Sequence, residues 1–134
     1  TCFCNLTAMQ LFDLFDNSLQ GSIPSCLAVL PDIMRIDLSK NMLTGPLPEE
    51  YSPSLLSLLL STNKLTGTIP SAIVTCSRLH SFVMDQNSLE GTLPSILGKL
   101  SELNDLLVNQ NQLYGMYSRS VRCKICSHVC GFEV

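Results

Sequence analysis

Apolar side chains return at fixed steps along this chain. With Asn17, Asn41, Asn63, Asn87 and Asn111 as origins, apolar residues stand eight, five and three positions before each Asn. The sets are Met9, Phe12, Leu14; Ile33, Ile36, Leu38; Leu55, Leu58, Leu60; Leu79, Phe82, Met84; and Leu103, Leu106, Val108. The last two of each set are two apart, the spacing of a strand with one buried face. A short strand is therefore predicted ahead of every Asn. A Leu follows each Asn by two positions and a Gly by four, and in four copies a Pro follows by seven. The Asn residues are 24, 22, 24 and 24 residues apart. Self-similarity at a fixed period of this length predicts a stack of coils, with equivalent strands side by side and parallel in one sheet.

The remaining positions explain how a coil closes. The Asn side chain offers one acceptor and two donors. At the end of a strand it can satisfy backbone groups of its own coil and of the next, and five in register predict a ladder. The Gly four later suits a bend that needs positive φ or close backbone approach. Ile23, Leu47, Ile69 and Leu93 then point inward. The following Pro opens a helical turn, where its missing N–H does no harm. Ser25–Leu30, Ser71–Cys76 and Ser95–Leu100 carry apolar residues three apart, as one buried helical stripe would. The second outer arc departs. Pro48 to Leu55 is seven residues where the equivalent intervals are nine, and Pro53 interrupts it, so a loop or tight turn is predicted there.

The organisation that follows is a half repeat at 1–8, then five repeats at 9–32, 33–54, 55–78, 79–102 and a partial 103–118, and a Cys-containing tail or degenerate cap at 119–134. Cys2, Phe3 and Leu6 of the half repeat align with Cys26, Leu27 and Leu30. A solenoid whose end coil lacks a polar cap reads as a piece of a longer array. On that reading Leu6, Phe12 and Leu14 are poorly covered, and the first coil frays or self-associates.

Composition narrows the class. Hydrophobic residues make up 46% and charged residues 14% of 134, too apolar for a disordered chain. The densest apolar stretch, Leu55 to Leu60, is far too short to cross a bilayer. The net charge of −3 argues against a nucleic-acid partner. Seven Cys is an odd number, so at least one thiol is unpaired within a monomer. Cys2, Cys26 and Cys76 fall at apolar positions of the outer arc and read as small buried hydrophobes. Cys2 and Cys26, equivalent on adjacent coils, are one candidate pair. Cys123, Cys126 and Cys130 are candidate disulfide partners in the tail. Their spacing with His128 is too compact for a tetrahedral zinc site, which takes two ligand pairs across a longer loop. Asn5-Leu6-Thr7 is a sequon for N-glycosylation. No nucleophile motif, phosphate loop or metalloprotease signature is present. Asp13 and Asp37 would lie on neighbouring strands of an open sheet with no water-excluding pocket, so neither catalysis nor a cofactor or metal is expected.

Together these residues resemble the plant-type extracellular leucine-rich repeat, whose unit runs L-x-x-L-x-x-L-x-L-x-x-N-x-L-x-G-x-I-P. Leu38 to Pro48 and Asn63 to Pro70 match it almost position by position, and the resemblance covers residues 1 to about 115. It implies an α/β solenoid, right-handed and curved, with a parallel concave β-sheet, a second short strand after the Asn, and short helical or irregular convex arcs. Such repeats are similar to those of receptor-like kinase and receptor-like protein ectodomains, and of inhibitors of pectin-degrading enzymes. The implied function is non-catalytic recognition of a protein or peptide ligand through the concave sheet, with a co-receptor as a further partner. The implied setting is extracellular or the cell surface, with membrane attachment only through segments of a parent protein. The alternatives are a secreted inhibitor of a microbial cell-wall hydrolase and a structural spacer in a longer array.

If residues five and three before each Asn point in, residues six, four and two before it point out. The outward triplets are Leu11, Asp13, Phe15; Arg35, Asp37, Ser39; Ser57, Leu59, Ser61; Ser81, Val83, Asp85; and Asp105, Leu107, Asn109. The middle column starts acidic and ends apolar. Strands about 4.8 Å apart would merge Leu59, Val83 and Leu107 into one greasy stripe. The expected contact residues are Asp13, Phe15, Arg35, Asp37, Leu59, Val83, Asp85 and Leu107.

Overall fold

The computed structural model describes residues 3–114. The tail from residue 115, with Cys123, Cys126 and Cys130, lies outside the described residues, as does Cys2. The chain opens with a 3₁₀ turn at Phe3–Asn5. Each later coil contributes two short strands: β1 Leu11–Asp13 and β2 Gln20–Gly21; β3 Arg35–Asp37 and β4 Met42–Gly45; β5 Ser57–Leu59 and β6 Lys64–Gly67; β7 Ser81–Val83 and β8 Ser88–Gly91; β9 Asp105–Leu107 and β10 Gln112–Leu113. The odd strands form one parallel sheet in the order β1-β3-β5-β7-β9, and the even strands a second in the order β2-β4-β6-β8-β10. Register is strict: Phe12 lies beside Ile36, Ile36 beside Leu58, Leu58 beside Phe82 and Phe82 beside Leu106.

The core is the stack of these inward columns. Ile36, Leu58, Phe82 and Leu106 are each at most 3% exposed, as are Leu38, Leu60, Met84 and Val108 beside them. Leu43, Leu65 and Leu89 from the second sheet close the other side. Burial contributes about 1.5–3 kcal/mol for each such side chain before entropy is subtracted. Phe12 is also buried, so the end coil is better covered than its position in sequence suggests. Leu6 is exposed, and Leu14 is half-buried.

The outer arcs are tighter than one helical stripe predicts. Among the described residues only Ser25–Ala28 (α1) is an α-helix; Ser71–Thr75 and Ser95–Lys99 are 3₁₀ turns. Pro24 and Pro70 precede the first two in extended conformation, and Pro94, at φ −58° and ψ 124°, precedes the third, each outside the first turn. The second arc has no helix, consistent with its two missing residues. Ser52 bridges it to the first arc, its N–H donating to the Ala28 carbonyl at 2.7 Å, while Ser54 Oγ donates to Pro31 O at 2.8 Å. Tyr51 is buried in the same arc, with its hydroxyl unpartnered among the described residues.

The disulfide corrects the sequence reading. Cys26 bonds Cys4, not Cys2, and is not a free buried hydrophobe. The repeat alignment superposes Cys2 on Cys26, but the tight 3₁₀ turn carries Cys4 beside α1, with 5.4 Å between the Cα atoms. That separation lies in the ordinary range for a disulfide. Cys76 is free and buried in the third arc, its Sγ donating to Ser52 O at 3.3 Å.

Candidate functional site

The Asn residues secure the shape of the face. Asn63 donates through Nδ2 to Leu38 O at 3.0 Å, Leu60 O at 3.1 Å and Ser61 O at 3.3 Å, and its Oδ1 accepts from Leu43 N–H at 3.0 Å. Asn41 makes the same set with Leu14, Leu38, Ser39 and Leu19. Asn87 and Asn111 repeat it one and two coils on, accepting from Leu65 and Leu89 N–H. The Asn17 side chain donates only to Leu14 and Phe15 of its own coil, and the residue is exposed. The residue before each Asn has positive φ: Asp16, Lys40, Thr62, Gln86 and Gln110. Lys, Thr and Gln are not residues that favour this region, so composition does not announce it. The only visible signal is that the position is polar in every copy.

Among the described residues, this framework leaves one face of the odd-strand sheet open. Parallel sheets are normally covered on both faces. Here the second face carries Leu59, Val83 and Leu107, half-buried and adjacent in register. They line a shallow depression of about 390 Å³ together with Ser81, Asn104, Asp105 and Leu106.

The two ends of the face differ in chemistry. Asp13 is exposed and accepts from Phe15 N–H at 3.1 Å. Phe15 is 46% exposed, with Lys40 Nζ over its ring at 4.9 Å from the centroid, a cation–π contact. Asp37 is only 5% exposed. It accepts from Arg35 Nη2 at 2.9 Å and Ser39 N–H at 3.1 Å, so it is occupied internally and is not free to meet a ligand as the alternation alone suggests. Arg35 is held along the same strand by that pair. In the last coils Asp85 accepts from Ser61 Oγ at 2.6 Å and Gln86 Nε2 at 3.2 Å, and Asp105 accepts from Ser81 Oγ at 2.8 Å. Asp105 was absent from the expected contact set; its place six before Asn111 puts it on this face. Asn5 lies apart from the face, exposed in the opening 3₁₀ turn. His80, also off the centre of the face, is 3.6 Å from Glu102.

No group of three metal-ligating side chains occurs among the described residues, and no helix there is long and apolar enough to cross a membrane. The arrangement offers a contact surface with a hydrophobic middle and polar margins.

Residues 54–76 match the family model described as Leucine Rich Repeat. A search of curated protein sequences returns no match. Among solved structures, the ectodomain of BIR2 from Arabidopsis thaliana is 36% identical, with a TM-score of 0.77 over 81% of this chain and 58% of that one. The Arabidopsis receptor kinase HAESA, in complex with the peptide hormone IDA and the co-receptor SERK1, is 30% identical, with a TM-score of 0.85 over 90% of this chain and 20% of that one. The ectodomain of the Arabidopsis membrane receptor kinase GASSHO1/SCHENGEN3, in complex with CASPARIAN STRIP INTEGRITY FACTOR 2, is 33% identical, with a TM-score of 0.85 over 89% of this chain and 14% of that one. The chain thus spans little more than half of the BIR2 ectodomain and a fifth or less of the two larger ones.

Proposed function

We propose, from the premise that this chain is a run of plant-type extracellular leucine-rich repeats, that it is a recognition module binding a protein or peptide through its concave sheet. It works outside the cell or at the cell surface, as the receptor ectodomains it resembles do. The Cys4–Cys26 disulfide and the exposed sequon at Asn5 suit that setting. A peptide ligand and a co-receptor are the partners, by likeness to HAESA with its hormone and SERK1.

The observation that carries this reading is the apolar column Leu59–Val83–Leu107 on a parallel sheet whose second face nothing in the chain covers among the described residues. An apolar surface with a polar rim is the usual anatomy of an interaction site. Backbone groups there are already paired in the sheet, so a ligand gains affinity from side-chain contact rather than from added strand hydrogen bonds.

The test is selection of binders from a displayed random peptide library on the whole chain, then titration against variants. Leu59→Asp and Val83→Asp should each abolish binding of the selected peptides while unfolding midpoints stay close to the parent. Thr66→Lys, on the exposed side of the second sheet, should leave binding unchanged. Binding that survives both aspartate substitutions would overturn the assignment of the face.

A further inference from the structure

We infer that the peptide taken by the concave face presents an apolar side chain between two basic ones, the basic residues four apart in an extended stretch. This rests on the reading of that face as the contact surface.

Asp85 lies two residues beyond Val83, and Asp105 two residues before Leu107, so the carboxylates flank the apolar column on opposite sides. Asp105 lies beside Ser81 in the register, and Asp85 is four residues along from Ser81. At about 3.3 Å per residue and 4.8 Å between strands, the two positions are about 14 Å apart. Four residues of extended chain span about the same length, roughly 13–14 Å. A peptide laid diagonally over the depression can therefore place residues i and i+4 at the two carboxylates and residue i+2 over Val83 and Leu107.

The charges are set for such a ligand. Both carboxylates are held by serine hydroxyls one coil away, Ser61 on Asp85 and Ser81 on Asp105, so their positions are defined before a ligand arrives. An ionised carboxylate has about four acceptor sites, which leaves room for a guanidinium or ammonium. Neither Asp85 nor Asp105 has an ion-pair partner among the described residues, whereas Asp37 has Arg35. The outward positions of the last three strands hold two carboxylates and no cation. The cations near this face, Arg35 and Lys40, belong to the second coil and are engaged by Asp37 and Phe15. An acidic ligand would meet only repulsion at this end, and a neutral one would leave both carboxylates unanswered.

The experiment uses peptides selected from a displayed random library on the whole chain, then synthesised and titrated at low and moderate salt. The expected sequences carry Arg or Lys at i and i+4 with an apolar residue at i+2. Asp85→Asn together with Asp105→Asn keeps shape and most hydrogen bonding. This double variant should bind those peptides about tenfold more weakly and with a flatter salt dependence. Selected peptides without the paired basic residues would overturn the inference. So would unchanged affinity in the double variant when Val83→Asp abolishes binding; that result would leave the contact face standing. Binding that survives Val83→Asp would remove the face itself, and the inference with it.

Discussion

The first and third coils carry Asn, Leu, Gly and Pro at the same offsets and hold them differently. The Asn17 side chain is exposed and bonds only to its own turn, while that of Asn63 reaches back a full coil to Leu38 and accepts from Leu43 N–H. Leu19 is 36% exposed where its equivalent Leu65 is fully buried. The first arc is tied by the Cys4–Cys26 disulfide; the third keeps Cys76 as a free thiol packed in the core. A repeated residue therefore has no fixed energetic value. Its worth depends on whether coils stack on both of its sides, as expected of a structure whose stability is a sum of nearest-neighbour interfaces.

The widest gap should appear at the ladder. Asn63→Ala leaves three carbonyls and one N–H without their side-chain partner and should destabilise the chain by about 3 kcal/mol, against about 0.5 kcal/mol for Asn17→Ala. Urea midpoints of the two variants measure the difference, and equal losses would break the comparison. Next is the staple. Its cysteines are 22 residues apart, and closing a loop of that size is worth about 3 kcal/mol in a chain-entropy account, often less in practice. Cys4→Ser should lower amide-exchange protection in the first coil and leave the third coil unchanged.

The glycine bends sharpen the contrast on a smaller scale. Gly21 and Gly91 both have positive φ, at 86° and 83°. A Cβ at Gly21 meets nothing within 4 Å, while one at Gly91 falls 2.9 Å from Thr68 Cγ2 on the preceding coil. Gly91→Ala should cost about 2 kcal/mol and Gly21→Ala about 1 kcal/mol, the second being backbone strain alone.

The smallest effect is in alkaline solution. Burial pushes the Cys76 thiol from 9.0 up to about 11. Unfolding lets it ionise at the lower value, so the unfolded chain loses a proton first and stability falls as pH rises from 9 towards 11, with no contribution below 9. Tyr51, also raised by burial, acts in the same direction at higher pH. At pH 9.5 Cys76→Ala should recover under about 1 kcal/mol of that loss. Cys26, being disulfide-bonded, has no such proton to lose. A stability profile that stays flat through pH 10 in the parent chain would rule this out.

The chain's periodicity made most of the architecture legible. The offsets of Leu58, Leu60 and Asn63 were enough to anticipate inward columns and a ladder, because a side chain's direction on a strand follows from counting by two. The apolar middle of the open face was legible for the same reason. What counting could not reveal was the state of each polar group on that face. Asp13 and Asp37 occupy equivalent positions, yet one is exposed and the other sealed by Arg35 and Ser39. Asp105 and Asp85 became notable only once their serine partners a coil away were visible.

The order of residues thus determined, unaided, the coil length, the strand positions, the buried columns and the loop in the short second arc, since each depends on spacing within about two dozen residues. Only the tertiary structure decided that Cys26 would meet Cys4, that Thr62 and its four equivalents would adopt positive φ, and which carboxylates of the face would pair with a cation and which with a serine hydroxyl. Those outcomes rest on contacts between coils and on how the backbone turns to make them. No single repeat contains the neighbour that settles them.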